Sequence, residues 1–461
     1  MWRMPTSSPA AGAFSGLIGP LWTTAAPNRR AGRMMRGDAE KSRPRGAVRR
    51  LGRVRLPPAD AGGGIRVNQL PSAGGAGCPG HGGRPADRDE LPMSEPVAVY
   101  VHVPFCVSKC GYCDFNSYAM SGPIVERTVR ATVRQLAESP WRGRPAATVF
   151  FGGGTPSLLD SPSLERLLLA VLEAHPPVDG VEITAEANPE SATLEKLRAM
   201  RRMGFSRLSV GVQSFDPVDL RRLGRAHSPE DAESAARHAR TAGFDRLNLD
   251  LMFGLEGQTL EAWEFNLGRA LGLEPDHLSL YNLTIEQGTR FERLHREGRL
   301  DLPDEEVQTA MYLRCAELLE PAGFRQYEIS NYAKPGQECQ HNVWVWRGGE
   351  YVAYGPGGVG CVREDGRWVR RTNLKKPLAF CLAVERGESP WQETERIDPA
   401  TREFERILLG LRLSEGLPLG GLPEAPVREG VRRGWFEVAD GRLRLTREGR
   451  LLANDATALF L

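Results

Sequence analysis

From Val97 onward, short β-branched or aromatic runs alternate with longer segments of helical period. The strand candidates are 98–103, 148–151, 181–186, 207–212, 246–251 and 277–283. Helical patterns cover 124–137, 161–174, 190–203, 229–242 and 260–273, several opening after Pro, Ser or Asp as helix starts do. Strands alternating with helices imply βαβ units and a parallel sheet. The expected class is α/β: six units make a partial (β/α)6 barrel, with a doubly wound sheet as the competing arrangement. After about residue 385 the pattern changes to a helix at 399–413, two short strands (434–438 and 443–446) and a last helical pattern over 447–460.

The polar residues fall at strand ends. Cys106 follows the first strand, Gly152 to Pro156 the second, Glu186 to Pro189 the third and Gln213 the fourth; Asp250 ends the fifth and Glu286 follows the sixth. In a parallel sheet or barrel the carboxyl ends share one rim, where active sites are built. Cys106, Cys110 and Cys113 are spaced C-x3-C-x2-C in HVPFCVSKCGYCDF. Closely spaced thiols in a reducing compartment usually hold a metal. Zinc and four-iron clusters normally take four protein ligands. Three cysteines on four irons would leave one iron open. Buried structural thiols, or a zinc site with a distant fourth ligand, are the other readings. His102 lies in an alternating strand run and reads as a strand residue facing its neighbours.

The glycine loop lets backbone approach a ligand closely. Glu186 and Asp250 are carboxylates in apolar strands and need partners. Those partners are either internal ion pairs and helix caps, or a ligand's ammonium and ribose hydroxyls. Arg225 can engage a carboxylate through its fork, and Gln213 can both donate and accept.

The 461-residue length suggests two or three domains. There is no run of 18 apolar residues, so no transmembrane helix is expected. Cys78, Cys315, Cys339, Cys361 and Cys381 are scattered, which is no disulfide framework and points to an intracellular, cytoplasmic protein. Residues 1–92 hold 15 Lys/Arg against 6 Asp/Glu, a net +9, which leaves −7 for the rest. The folded part therefore offers no general case for nucleic acid. Residues 1–92 read as a disordered basic extension. It is either a mitochondrial transit peptide or an untranslated stretch ahead of Met93, which opens MSEPVAVYVHVPFC.

With YVHVPFC-x3-C-x2-CDF, FFGGGTPS, AEANPE, SVGVQSF, LGRAHS and NLDLMFGL in order, the chain resembles the radical S-adenosylmethionine (SAM) family. The branch is that of HemN, the oxygen-independent coproporphyrinogen III oxidase, and HemW, its haem-chaperone relative. The resemblance implies a [4Fe–4S] cluster on the three cysteines. It also implies SAM contacts at Tyr100, Gly153, Gly154, Thr155, Glu186, Gln213, Arg225 and Asp250, with Tyr112 as the aromatic before the third cysteine. The oxidase carries a further cysteine two residues after the third; here that position is Phe115, the HemW pattern. The family's H-N-x-x-Y-W haem motif reads His341-Asn342-Val343-Trp344-Val345-Trp346, with Val345 in place of Tyr. The resemblance thus makes His341 the expected haem ligand, with Cys339 as a second candidate thiolate; the other reading is a structural His-Asn turn packed under the tryptophans.

The organisation implied is an extension (1–92), a radical SAM core (93–330), a HemW-type extension (331–384) and a small, mainly helical, winged-helix-like domain (385–461). The resemblance implies a haem chaperone, monomer or dimer, with a respiratory or other haem-accepting partner that could be membrane-associated. The rivals are a coproporphyrinogen oxidase or another radical enzyme, and a zinc-stabilised module.

Overall fold

The computed structural model describes residues 95–461, so the two readings of residues 1–92 lie outside the described residues. Strands β1 (Val97–Val103), β2 (Ala146–Gly153), β3 (Pro177–Ala187), β4 (Arg207–Gln213), β5 (Arg246–Phe253) and β6 (His277–Asn282) pair in chain order, all parallel. Helices α1 (Pro123–Ala137), α2 (Ser161–Ala174), α3 (Leu194–Met203), α4 (Pro217–Leu223), α5 (Pro229–Thr241) and α6 (Leu260–Leu271) fill the crossovers. The caps are those the sequence offers: Asp160 accepts from Ser163 N at 2.7 Å, and Ser228 with Asp231 forms a capping box. Each cap stabilises its helix by about 1 kcal/mol.

Parallel strands covered on both faces usually read as continuous apolar runs. These alternate instead, because their two faces meet different surroundings. Val99, Val101, Val149, Phe151, Leu208, Val210, Leu249 and Leu251 pack in the main hydrophobic core. The alternate positions, among them Glu186, Arg207, Ser209, Asn248 and Asp250, line a cavity on the other face. The sheet is not a closed barrel: at each end further strands are added rather than the ends joining.

After β6 come α7 (Arg290–Arg296), α8 (Glu305–Leu319), β7 (Arg325–Gln326) and β8 (Asn331–Ala333); β8 pairs antiparallel with β6. The chain then forms α9 (Gln340–Trp346) and returns at the opposite end as β9 (Tyr351–Tyr354), parallel to β1. Antiparallel β10 (Val359–Glu364) and β11 (Arg367–Asn373) follow, then α10 (Pro377–Glu385) and β12 (Trp391–Ile397). Among the described residues this makes one 12-stranded sheet, β12-β11-β10-β9-β1-β2-β3-β4-β5-β6-β8-β7. The change of character at 385 therefore comes before the sheet ends. β12 reads differently because it is an edge strand with mostly exposed side chains.

α11 (Pro399–Arg412), α12 (Glu424–Arg432) and a three-stranded sheet of β13 (Leu417–Pro418), β14 (Phe436–Ala439) and β15 (Arg442–Leu445) form the last part. Ile407, Leu411, Phe436, Leu443 and Leu445 make its own core, joined by Ile329 from ahead of β8. The expected final helix is broken: α13 (Arg447–Leu451) and α14 (Ala453–Thr457) meet at Leu452, and a 3-10 turn ends the chain.

Candidate cofactor site

The cysteine loop leaves β1 and is fastened back along its length. Phe105–Cys106 pairs with Tyr118–Ala119 at its base. His102, buried and lowered to about 4 by desolvation, is neutral. Its Nε2 lies 3.0 Å from the Asn116 carbonyl, which can only accept, so Nδ1 is left to accept from the Tyr100 hydroxyl at 3.1 Å. The strand reading of His102 is right in place, and its chemistry is to hold the loop. Farther along, Gly111 N–H donates to Leu223 O (3.0 Å), and Phe291 N–H donates to Gly111 O (2.9 Å). Asn116 Nδ2 donates to the Pro356 and Lys375 carbonyls at 3.0 and 3.1 Å. The glycine run after β9 thus packs against the loop rather than standing free.

All three thiols are half-buried and line one cavity. Each sulfur has a neighbouring donor: Thr155 Oγ1 at 3.6 Å from Cys106, Arg225 Nη1 at 3.5 Å from Cys110, and Ser117 Oγ at 3.8 Å from Cys113. Desolvation raises the Cys106 thiol and pushes Cys113 up to about 11. Thiolates here need a compensating cation, which a metal cluster would bring. Sulfurs with donors at hand suit cluster ligation. Among the described residues, no three His, Cys, Asp or Glu side chains converge as the ligands of a single metal ion would.

The glycine loop is glycine by necessity. Gly153 has φ 96°, and a Cβ there would sit 2.2 Å from the His102 ring. A Cβ on Gly154 would come within 2.5 Å of Val103 O. Gly153 N–H donates to Glu186 Oε2 at 3.0 Å. Burial, then repulsion from Asp250, pushes Glu186 up to about 8. Asp250 is also raised by burial, though it accepts from Ser209 (3.0 Å) and Asn248 (2.7 Å). A register shift between Gly211 and Gln213 places Gln213 at φ 69°. Arg225 follows the left-handed cap Gly224 of α4 and donates to Asn188 Oδ1 (2.6 Å) and Gly211 O (2.8 Å). Its Nε is buried without a partner.

The cavity measures about 1320 Å³ including its open mouth. Cys106, Cys110, Cys113, Tyr112, Gly153, Gly154, Glu186, Gln213, Arg225 and Asp250 line it, as do Phe115 and Glu286. Tyr100 and Thr155 stand behind that lining, acting through His102 and through Cys106 and Asn188. His341 is elsewhere. Its ring is 2 % exposed, bonded through Nδ1 to Thr148 Oγ1 at 2.9 Å and packed 5.1 Å from Phe150. Burial lowers it to about 3. Of its motif, Asn342 reaches the cavity. Arg207, Ser209, Asn248 and Ser279 also line it, and reading strand ends alone missed them. The available signal was the period-2 polar face of β4, β5 and β6.

A model of the radical SAM superfamily matches residues 100–266. The chain is 37% identical over 383 residues to the haem chaperone HemW of Escherichia coli, covering 79% of this chain and 98% of that protein. It is 33% identical over 378 residues to HemW of Bacillus subtilis, covering 79% and 99%. The solved coproporphyrinogen III oxidase HemN of Escherichia coli superposes with a TM-score of 0.69 at 22% identity, covering 80% of this chain and 90% of that one; this likeness speaks for the fold alone. The chain belongs to the HemN/HemW branch of the radical SAM superfamily, in the family of its HemW relatives.

Proposed function

We propose that this protein is a haem chaperone that holds a [4Fe–4S] cluster on Cys106, Cys110 and Cys113 and SAM beside it, and that passes haem to a respiratory acceptor. The observation that carries the reading is the set of three thiols around one cavity, each beside a hydrogen-bond donor, with Phe115 on the same wall where the oxidase pattern has a cysteine. When bound, the cluster and SAM supply one-electron chemistry at the sulfonium. The chain's own residues orient and shield. Arg225 offers an unpartnered Nε to a carboxylate. Asp250, fixed by Ser209 and Asn248, and Glu186 offer oxygens to hydroxyls or an ammonium. Gly153 and Gly154 bring backbone close to them.

Haem is cargo here, and His341 would coordinate its iron only once α9 had left its seat against Thr148 and Phe150. One measurement tests the reading: haem titration of the purified, cluster-reconstituted chain. A saturable Soret shift is expected. Absence of binding, with anaerobic conversion of coproporphyrinogen to protoporphyrinogen, would replace the chaperone with an oxidase. Zinc without acid-labile sulfide would end both. Among the described residues, no helix is long and apolar enough to cross a membrane. A curated relative in Bos taurus, 40% identical over 286 residues, is mitochondrial by name. A mature amino terminus well ahead of Met93 would favour a leader sequence in this chain.

A further inference from the structure

Below the rim, the cavity reaches a second polar group that none of the proposed contacts uses. Arg207 opens β4, is 2 % exposed and lines the cavity. Its Nε is buried without a partner, and no described side chain or carbonyl pairs with its guanidinium. Glu182 and Asp250 lie close enough to favour its charge, yet neither hydrogen-bonds it, and a buried guanidinium normally has its donors satisfied. The nearby carboxylates have other commitments. Glu182 holds Arg246 at 2.9 Å and accepts Gln340 N–H at 2.9 Å, while Asp250 takes Ser209 and Asn248. Two further buried atoms lack partners close by in the fold. One is Oγ1 of Thr184, the cross-strand neighbour of Arg207; the other is Oδ1 of Asn342, on the cavity wall. The floor of the cavity is therefore equipped with a fixed cation and spare hydrogen-bonding capacity.

We infer that Arg207 seats a carboxylate carried by a ligand that enters the barrel beneath the cysteine loop. The guanidinium fork matches a planar, singly charged carboxylate. A doubly charged phosphate would face Asp250 and Glu186 on the same walls. The same cavity is lined by the three cysteines at the rim and by Arg207, Ser209 and Asn248 farther down the strands, so a ligand entering from the rim can reach the guanidinium. The carboxylate is either a propionate of the tetrapyrrole or a small free acid. The first deepens the proposed function and rests on it; the second does not.

The test uses the cluster-reconstituted full chain as wild type, Arg207→Gln and Arg207→Lys. Binding of protoporphyrin IX and of its dimethyl ester is followed by fluorescence quenching. Thermal shifts with sodium propionate and with propionamide are compared at matched ionic strength. In the wild type the acid should be preferred in at least one pair, by about tenfold for the porphyrins, since a hydrogen bond to a charged group is worth ~1.5–3 kcal/mol. Arg207→Gln should abolish the preference and Arg207→Lys should keep part of it. Should Arg207→Gln not fold, the wild-type pairs and the Lys variant decide the matter. No acid preference in either wild-type pair, or one undiminished in the variants, would overturn the inference. If no porphyrin binds in either form but propionate still stabilises through Arg207, the carboxylate seat stands and the haem reading falls.

Discussion

The rim and the floor of the barrel are built in different ways. The rim is local: three cysteines within eight residues, a glycine loop, and single side chains placed by the ends of β3, β4 and β5. Main-chain hydrogen bonds hold it, from Gly111, Phe291 and Thr155 among others. The floor is assembled from distant pieces, with Thr148, Glu182 and Arg207 meeting His341 and Gln340 of α9. Substitutions at the rim should therefore act on ligand loading, whereas those at the floor should also cost stability, even where, as at Arg207, they touch a ligand.

The largest effect should come from Cys110→Ser, which should abolish the iron–sulfur absorbance while the far-ultraviolet circular dichroism stays that of the wild type. Loss of the fold along with the chromophore would break the division. Gly153→Ala should cross it: a Cβ at φ 96° against the His102 ring should cost about 3 kcal/mol in denaturant unfolding and also displace the loop that faces Glu186. His341→Ala should cost about 2 kcal/mol, through the lost Thr148 hydrogen bond and the vacated ring volume, with cluster content unchanged. In the same variant an unchanged Soret band would assign the haem ligand elsewhere, whereas a shifted one would mean that α9 opens.

The smallest effect is in pH. Glu186 titrates near 8 in the fold and near 4.5 when unfolded, so the native state holds the extra proton between those values. Stability without bound cofactors should therefore fall as pH rises, by roughly 1.5 kcal/mol from pH 6.5 to 8, and Glu186→Gln should flatten that slope. Below pH 6.5 the sign reverses for His102 and His341. Both are neutral in the fold at pH values where the unfolded chain protonates them, so acid destabilises through them.

The same division decides what could be read in advance. The six barrel strands and five crossover helices show in the periodicity; the strand-end rule points to Cys106, Gly153, Gly154, Glu186, Gln213, Asp250 and Glu286, all on one cavity, and the cysteine spacing and family motifs add Cys110, Tyr112, Cys113 and Arg225. β8 is only three residues long, and β9 pairs Ala98 with Tyr351, so no local pattern announces either. His341 sits in a recognisable motif, but motif and spacing carry no information on which way its ring faces. Arg207 escaped because it opens its strand, at the end away from the rim, where functional residues were not sought.

The run from β8 to β9 gives this chain a particular folding order. Val97–Val103, the first described strand, has one edge without its partner until residues near 354 exist, some 250 residues later. On a ribosome, that interval leaves an unpaired strand edge, of a strand wholly buried and mostly apolar in the finished fold, in a half-built sheet, the kind of surface that aggregates. Loop closure over such a separation also slows folding. The chain would thus depend on protection of that edge while it is being made.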